Sequence, residues 1–235
     1  MNDTYVNDQI SMTYIPPVRF ALMSSESPDG RLFEVEHFTQ RLLPLAGDHG
    51  DDGRDEMLYV LEGAGRVAIG GEEHNVHPGV ALFISRGTRW SASGDARAIS
   101  VLVHDPLPSE GHAVLDLGEM ERGTATAGRQ FLLGPSCPSI TQFIGLIPPG
   151  RAPDHFHTYD EVIYVLEGRG ELSIGGETVP LAPGSCIHLP RKLVHCLANT
   201  GDGEMRVLGV FRPAGSPAEA YYPDGTPAAV PTGEE

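Results

Sequence analysis

Residues 161–199, EVIYVLEGRGELSIGGETVPLAPGSCIHLPRKLVHCLAN, decide the fold of this chain, because residues 56–94, EMLYVLEGAGRVAIGGEEHNVHPGVALFISRGTRWSASG, match them without a gap. The two stretches share fourteen identities over thirty-nine positions, at an offset of 105 residues. A period of this length is too long for a solenoid repeat and is about the size of a small β-domain. The repeat therefore predicts that a whole domain was duplicated.

Short apolar runs alternate with turn residues inside each repeat. The run VIYVLEG ends at a glycine, RGELSIGG alternates apolar and polar residues, and Gly175-Gly176 closes a hairpin. Glycine and proline together make up about a fifth of the 235 residues, and no long stretch has the apolar spacing of a helix. The sequence predicts an all-β fold built as antiparallel barrels or sandwiches.

The repeat also predicts the domain boundaries. Residues 1–110 are expected to form the first barrel, with residues 31–40, RLFEVEHFTQ, adding an edge strand, and residues 111–235 the second. Residues 105–128 join the barrels and show no strand pattern. The tail from Pro213 is rich in Pro, Ala and Gly, so we expect it to wrap the surface or to be disordered.

Composition excludes several classes of function. A net charge of −16 and a single lysine, Lys192, leave no basic face for nucleic acid. Three cysteines cannot form a paired disulfide framework, which favours a reducing compartment. The first residues show no signal-peptide pattern, and no run of eighteen apolar residues occurs, so we expect a cytoplasmic protein without a membrane partner.

The second repeat carries a pattern of metal-ligand residues. His155 and His157 are two residues apart, which in a strand places both imidazoles on one face. A short turn brings Glu161 to the start of the partner strand, and His195 reaches the same interior from a later strand. Three imidazole nitrogens and one carboxylate suit a first-row divalent metal such as Fe, Mn, Ni or Zn.

The first repeat lacks this pattern at the corresponding positions. Under the 105-residue offset the ligands map to Gly50, Asp52, Glu56 and Trp90, so that only the carboxylate remains. His49 is displaced by one residue, which would turn it to the other face of a strand. We therefore expect a packed first barrel without metal, and one metal per chain.

These segments resemble the two sequence motifs of the cupin superfamily, over roughly residues 30–212. The resemblance implies a bicupin, with two double-stranded β-helix (jelly-roll) barrels in tandem, and it carries the metal ligands onto His155, His157, Glu161 and His195. The sequence departs from the motifs in the spacing of Gly150 and His155, one residue shorter than usual, and in Lys192, where a glycine is usual.

The resemblance leaves the reaction open, because the same motifs serve many chemistries. The expected function is that of a metal-dependent enzyme acting on a small oxygen-bearing molecule, by dioxygenase-like or enolate-stabilising chemistry. The alternatives are a non-redox isomerase, lyase or aminohydrolase, and a small-molecule-binding cupin without turnover. We expect a monomer or homodimer in which the two barrels pack through apolar sheet faces.

Several other residues have weaker signals. Those that could approach the cavity mouth are Gln142, Phe143, Tyr159 and Arg191. No catalytic residue can be assigned from the sequence. Four further histidines fall in expected loops or edges without an expected role: His74, His77, His104 and His112.

Overall fold

The computed structural model describes residues 4–7, 10–15, 18–23, 30–50 and 53–228. Over these residues the secondary structure is β, apart from two short 3-10 turns at Leu117–Glu119 and Thr126–Gly128. The all-β prediction is therefore confirmed. No helix in the described part of the chain is long and apolar enough to cross a membrane.

The strands of the first half alternate with short turns. They are β1 (Thr4–Asn7), β2 (Ile10–Ile15), β3 (Val18–Met23), β4 (Arg31–Glu34), β5 (Phe38–Pro44), β6 (Gly47–His49), β7 (Asp55–Glu62), β8 (Gly65–Ile69), β9 (Glu72–Val76), β10 (Val80–Ile84), β11 (Trp90–Gly94) and β12 (Arg97–Val103).

The strands of the second half follow the same plan. They are β13 (His112–Asp116), β14 (Arg122–Thr124), β15 (Gln130–Ser136), β16 (Thr141–Ile147), β17 (Asp160–Glu167), β18 (Gly170–Ile174), β19 (Glu177–Leu181), β20 (Ser185–Leu189), β21 (His195–Asn199) and β22 (Met205–Arg212). The strands β13 and β14 show that the expectation of no strand within residues 105–128 was wrong. Both are short, and β13 is only half-buried, so neither has a clear apolar pattern.

Each barrel consists of two sheets. The first has a six-stranded sheet, β13-β10-β7-β12-β5-β4, and a four-stranded sheet, β6-β11-β8-β9. The second has a nine-stranded sheet, β1-β2-β3-β20-β17-β22-β16-β15-β14, and a three-stranded sheet, β19-β18-β21. The strand β4 is the edge expected within residues 31–40. Two jelly-roll barrels are thus confirmed.

The two halves exchange strands across the boundary expected at residue 110. The strand β13 pairs with β10 of the first barrel, and β3 pairs with β20 of the second. Since β10 and β20 occupy equivalent positions in the repeat, each large sheet is extended at the same place by a strand from the other half of the chain.

The hairpins of the repeat require glycine. Gly70 and Gly71 have φ of 61° and 89°, and Gly175 and Gly176 have φ of 58° and 88°. Two consecutive residues with positive φ are typical of the tight hairpin turn that matches the twist of its strands. Side chains with a Cβ rarely adopt this conformation, so the Gly-Gly pair sets both turns.

The central strands are apolar on both faces, because each large sheet is covered on both sides. In β7, Met57 and Tyr59 face the second barrel, whereas Leu58 and Val60 face the interior of their own barrel. In the second barrel Val162 and Tyr164 belong to the same core cluster as Met57 and Tyr59. The expected packing of the barrels through apolar sheet faces is confirmed.

Candidate metal centre

Three histidines converge inside the second barrel. His155 lies in an isolated bridge opposite His195, the first residue of β21. The backbone fixes this pair, since His155 N donates to His195 O at 3.0 Å and His195 N donates to His155 O at 2.8 Å. With His157, they form a group whose ligand atoms all lie within 4.8 Å of one another.

Backbone carbonyls fix the tautomer of all three rings. The Nδ1 atom of His155 lies 3.0 Å from the carbonyl oxygen of Pro153. That of His157 lies 2.8 Å from the carbonyl oxygen of Glu219, and that of His195 lies 2.8 Å from the carbonyl oxygen of Leu193. Because a carbonyl only accepts hydrogen bonds, each Nδ1 carries a proton. The lone pair of each Nε2 remains available to a metal, and a carbonyl partner of this kind is usual for histidine ligands.

Burial keeps the three imidazoles neutral. It lowers the pKa of His155 and of His195, and it lowers the pKa of His157 to about 3. The neighbouring imidazoles lower the pKa values of His157 and His195 further. A neutral imidazole is the form that binds a metal, so these residues need no deprotonation before binding.

Glu161 lines the same cavity but does not belong to the group of three histidines. It is 4% exposed, at the start of β17, and it is not among the residues whose ligand atoms lie within 4.8 Å of one another. Burial raises its pKa to about 8, while Arg129 acts in the opposite direction. The assignment of Glu161 as the fourth ligand stays a prediction.

The residues present fit a divalent metal. Their donors are three neutral nitrogens with a buried carboxylate nearby, the set that first-row divalent ions bind. Burying such polar groups without a partner costs about 1–3 kcal/mol each, so a bound cation would relieve an existing penalty.

The cavity beside the histidines is small and mostly apolar. Its volume is about 70 Å³. The residues that line it are Phe131, Phe143, Gly145, Ile147, Tyr159, Ile163, Leu197, Val207, Pro217 and Ala220, together with Ala125, Thr126, Arg129 and Gln130. Tyr159 stacks between two rings, at 4.8 Å from His157 and 4.0 Å from Phe211.

Arg129 is a cavity residue that sequence reasoning missed. Its Nη2 donates to the carbonyl of Leu197, and among the described residues no carboxylate lies within ion-pair distance of its guanidinium. Burial lowers its pKa. The residue follows the short turn Thr126–Gly128, in a segment without a repeat partner or motif, so the sequence carries no signal for it.

The C-terminal tail closes one side of the centre. Besides the carbonyl of Glu219, which fixes His157, it supplies Tyr221, whose ring stacks on Phe156 at 5.6 Å. Phe156 and Tyr221 also exchange backbone hydrogen bonds of 2.8 Å and 3.0 Å. The sequence predicts that the tail from Pro213 wraps the surface or is disordered. Residues 213–228 wrap the barrel, and residues 229–235 lie outside the described residues.

Of the four residues expected near the cavity mouth, two line the cavity and two lie elsewhere. Phe143 and Tyr159 line the cavity. Gln142 instead points between the barrels, where its Nε2 donates to the carbonyl of Leu58 at 3.3 Å. Arg191 lies outside the cavity and pairs with Asp160 at 2.9 Å.

Comparison with known proteins establishes the family. Residues 39–103 and 143–211, which span most of both barrels, each match the cupin domain family. The chain belongs to the cupin family. It is a bicupin, because each of its barrels carries one such domain.

Individual relatives of this bicupin match parts of the chain. The polyketide synthase CurC of Streptomyces cyaneus is 32% identical over 122 residues, which cover 49% of this chain and 79% of the relative. An L-ectoine synthase of Aliivibrio fischeri is 35% identical over 72 residues, covering 30% of this chain and 56% of that protein.

Solved structures match both barrels. An oxalate decarboxylase variant of Bacillus subtilis has a TM-score of 0.64 at 15% identity, covering 90% of this chain and 75% of that chain. A cupin 2 conserved barrel domain protein of Leptotrichia buccalis has a TM-score of 0.57 at 16% identity, covering 77% and 86%. At such identities the likeness shows the fold alone.

The first cupin barrel differs from the expected alignment at one point. His49, and not Gly50, pairs with Trp90 across the sheet, as His155 pairs with His195 in the second barrel. The expectation that His49 turns to the other face was therefore wrong. The chain between this position and the glutamate that both repeats share is one residue longer in the first barrel, which an ungapped overlay cannot show.

Trp90 fills the interior of the first barrel. It is 3% exposed, and its ring stacks on His49 with a centroid distance of 4.2 Å. Asp52, the expected counterpart of His157, lies outside the described residues. The indole thus occupies the position that His195 has in the second barrel.

Arg41 provides a positive charge next to the remaining carboxylate of the first barrel. Its Nη2 lies 2.8 Å from Oε1 of Glu56, and Ser100 Oγ donates to the same oxygen. By strand register, Arg41 and Ser100 correspond to Phe143 and Gly209 of the second barrel. A guanidinium therefore balances Glu56, while no side-chain cation lies within ion-pair distance of Glu161 among the described residues.

Proposed function

We propose that this bicupin binds one divalent transition metal, Fe, Mn, Ni or Zn, through His155, His157, Glu161 and His195, and acts on a small organic anion there. The observation that carries the proposal is the buried group of three neutral histidines beside a cavity that also contains Arg129. The proposed reactions are dioxygenation or proton removal with stabilisation of an enolate, and a non-redox isomerase, lyase or aminohydrolase is the enzymatic alternative.

The metal would supply Lewis-acid stabilisation of oxygen anions and, with a redox metal, electron exchange with dioxygen. The protein supplies the orientation. Three carbonyl groups hold the imidazoles with their Nε2 lone pairs free, and this preorganisation needs no rearrangement of the backbone.

Arg129 supports an anionic substrate. A guanidinium presents several N–H donors in one plane and binds a carboxylate through two parallel hydrogen bonds. The Nη2 group of Arg129 donates to the carbonyl of Leu197, and this hydrogen bond orients the side chain. The other N–H groups of the guanidinium remain available to an anion. A partly buried guanidinium without a carboxylate partner among the described residues would gain from an anionic ligand.

The cavity walls support chemistry with water excluded. Phe131, Phe143 and Tyr159 surround the polar groups with aromatic rings, which strengthens the electrostatic interactions inside. The volume of about 70 Å³ favours a substrate of only a few atoms.

The same small volume favours a second candidate, a cupin that binds a small ligand without turnover. The two candidates share the metal and the anion site and differ in product formation. A screen of small carboxylates with an oxygen electrode and with NMR of the substrate distinguishes them. Consumption of a carboxylate supports the enzyme, and tight binding without consumption supports the binding protein.

Arg129→Gln tests the anion site, and Arg151→Gln is its control, because Arg151 is exposed and pairs with Asp154 outside the metal cavity. With metal bound, we expect Arg129→Gln to weaken binding of the carboxylate found in the screen by about 10- to 100-fold, the loss of a charged hydrogen bond. Metal content should stay unchanged in both variants. Equal binding of the carboxylate and its neutral amide by the unmodified protein would contradict the anionic class.

A further inference from the structure

A second group of metal-ligand residues lies on the surface of the first barrel. Glu72 and His74 belong to β9, and His112 is the first residue of β13. The Nε2 atoms of His74 and His112 each lie 3.7 Å from Oε2 of Glu72. One ligand atom from each residue lies within 4.8 Å of the other two.

These separations suit a shared metal better than hydrogen bonds. A distance of 3.7 Å is too long for a hydrogen bond between nitrogen and oxygen. Two ligand atoms that are each about 2.1 Å from a tetrahedral zinc lie roughly 3.4 Å apart. Small rotations of an exposed glutamate side chain would bring the three ligands to these positions.

Position in the fold gives the group a structural consequence. The strand β9 is the edge of the four-stranded sheet, and β13 is the edge of the six-stranded sheet. The group therefore spans the seam between the two sheets of the first barrel. Gly70 leaves room for the ring of His112, because a Cβ at Gly70 would lie 3.3 Å from its Cε1.

Packing alone does not account for His74. By strand register, His74 corresponds to Val179 of the second barrel, which packs against the apolar core there. The Nε2 of His74 is shielded from solvent and has no hydrogen-bond partner among the described residues. A shielded polar atom without a partner requires an explanation, and an ion is one of the usual ones.

We propose that Glu72, His74 and His112 form a second metal site, of the His₂-carboxylate type that zinc prefers, which links the edge strands β9 and β13 across the seam. The site is separate from the centre in the second barrel. It is weaker than that centre because its ligands are partly exposed, so it fills when Zn²⁺ is added and empties on dialysis.

Titration of the full chain with ZnCl₂ tests this site in a His157→Ala background, which disables the central metal site. We expect one equivalent of Zn²⁺ by calorimetry and a rise in the melting temperature. Adding His74→Val should abolish both effects. Valine is the residue at the corresponding position of the second barrel, Val179. Adding His77→Val instead should preserve both, because His77 is exposed and pairs with Asp116 outside the group.

Glu72→Ala provides a second variant that should fold, since the Glu72 side chain is 71% exposed. It should weaken Zn²⁺ binding by about tenfold or more, as expected for the loss of one ligand interaction. Failure of the His157→Ala protein to bind Zn²⁺ would overturn the proposal. Binding that survives both His74→Val and Glu72→Ala would overturn it as well.

Discussion

Trp90→Ala tests whether the first barrel is a packing partner without its own site. Trp90 is 3% exposed and belongs to the interior core of that barrel. Truncation removes roughly 200 Å² of buried aromatic surface, which at about 25 cal/mol per Å² corresponds to about 5 kcal/mol. The indole Nε1 has no hydrogen-bond partner among the described residues, so its removal returns about 1–2 kcal/mol.

The expected net loss in the free energy of unfolding is therefore about 3–4 kcal/mol, within the range for Trp-to-Ala truncations in protein cores. For a chain of this size each kcal/mol lowers the melting temperature by about 2–4 °C, so we expect a decrease of about 10 °C. Calorimetry or urea unfolding followed by circular dichroism measures the change. Elemental analysis of the same samples should show unchanged metal content.

Trp90→Phe is the matched control. It retains most of the buried ring and removes the unpartnered donor, so the free energy of unfolding should change by less than about 1 kcal/mol. The reasoning is refuted if Trp90→Ala keeps the stability of the unmodified protein and loses metal or ligand binding. That result would mean that the first cavity takes part in function.

Two further predictions concern the metal centre directly. His157→Ala should remove the metal, as measured by elemental analysis. Far-UV circular dichroism should still show a folded protein, because the apolar strands and glycine turns specify both barrels. Unfolding of the variant would indicate a structural metal. A chain ending at Ser216 lacks the carbonyl of Glu219 that fixes His157, so its metal affinity should fall by about 10- to 100-fold, whereas a chain ending at Ala228 keeps it. Equal metal affinity of the two truncated chains would exclude a role of the tail.

The sequence was sufficient for the fold and for the three histidines because these depend on periodicity. The apolar runs of β7 and β17 and the Gly-Gly turns repeat at a fixed offset, so the strands, hairpins and barrels could be predicted. His155 and His195 are held by backbone pairing, which places them together once the strands are in register.

The contacts that could not be predicted connect segments without a repeat partner. Arg129 enters the cavity from the turn before β15, and Glu219 reaches His157 from the tail, 62 residues away in sequence. Neither segment has an apolar period that fixes its path. The position of His49 was missed for another reason, because a single additional residue before β7 shifts the register of the preceding strand.

One glutamate of the repeat has different surroundings in the two barrels. Glu56 and Glu161 lie at equivalent positions, and both are buried. A buried carboxylate that is ionised needs a cation, and the first barrel provides Arg41, whose guanidinium lies 2.8 Å from Glu56. The second barrel has Phe143 at the position of Arg41, and there burial raises the pKa of Glu161 to about 8, with Arg129 as the charged group that opposes the rise. Arg41 contacts Glu56 and Trp90 packs in the interior core, so neither alters the outer sheet face of the first barrel, which packs against the second barrel.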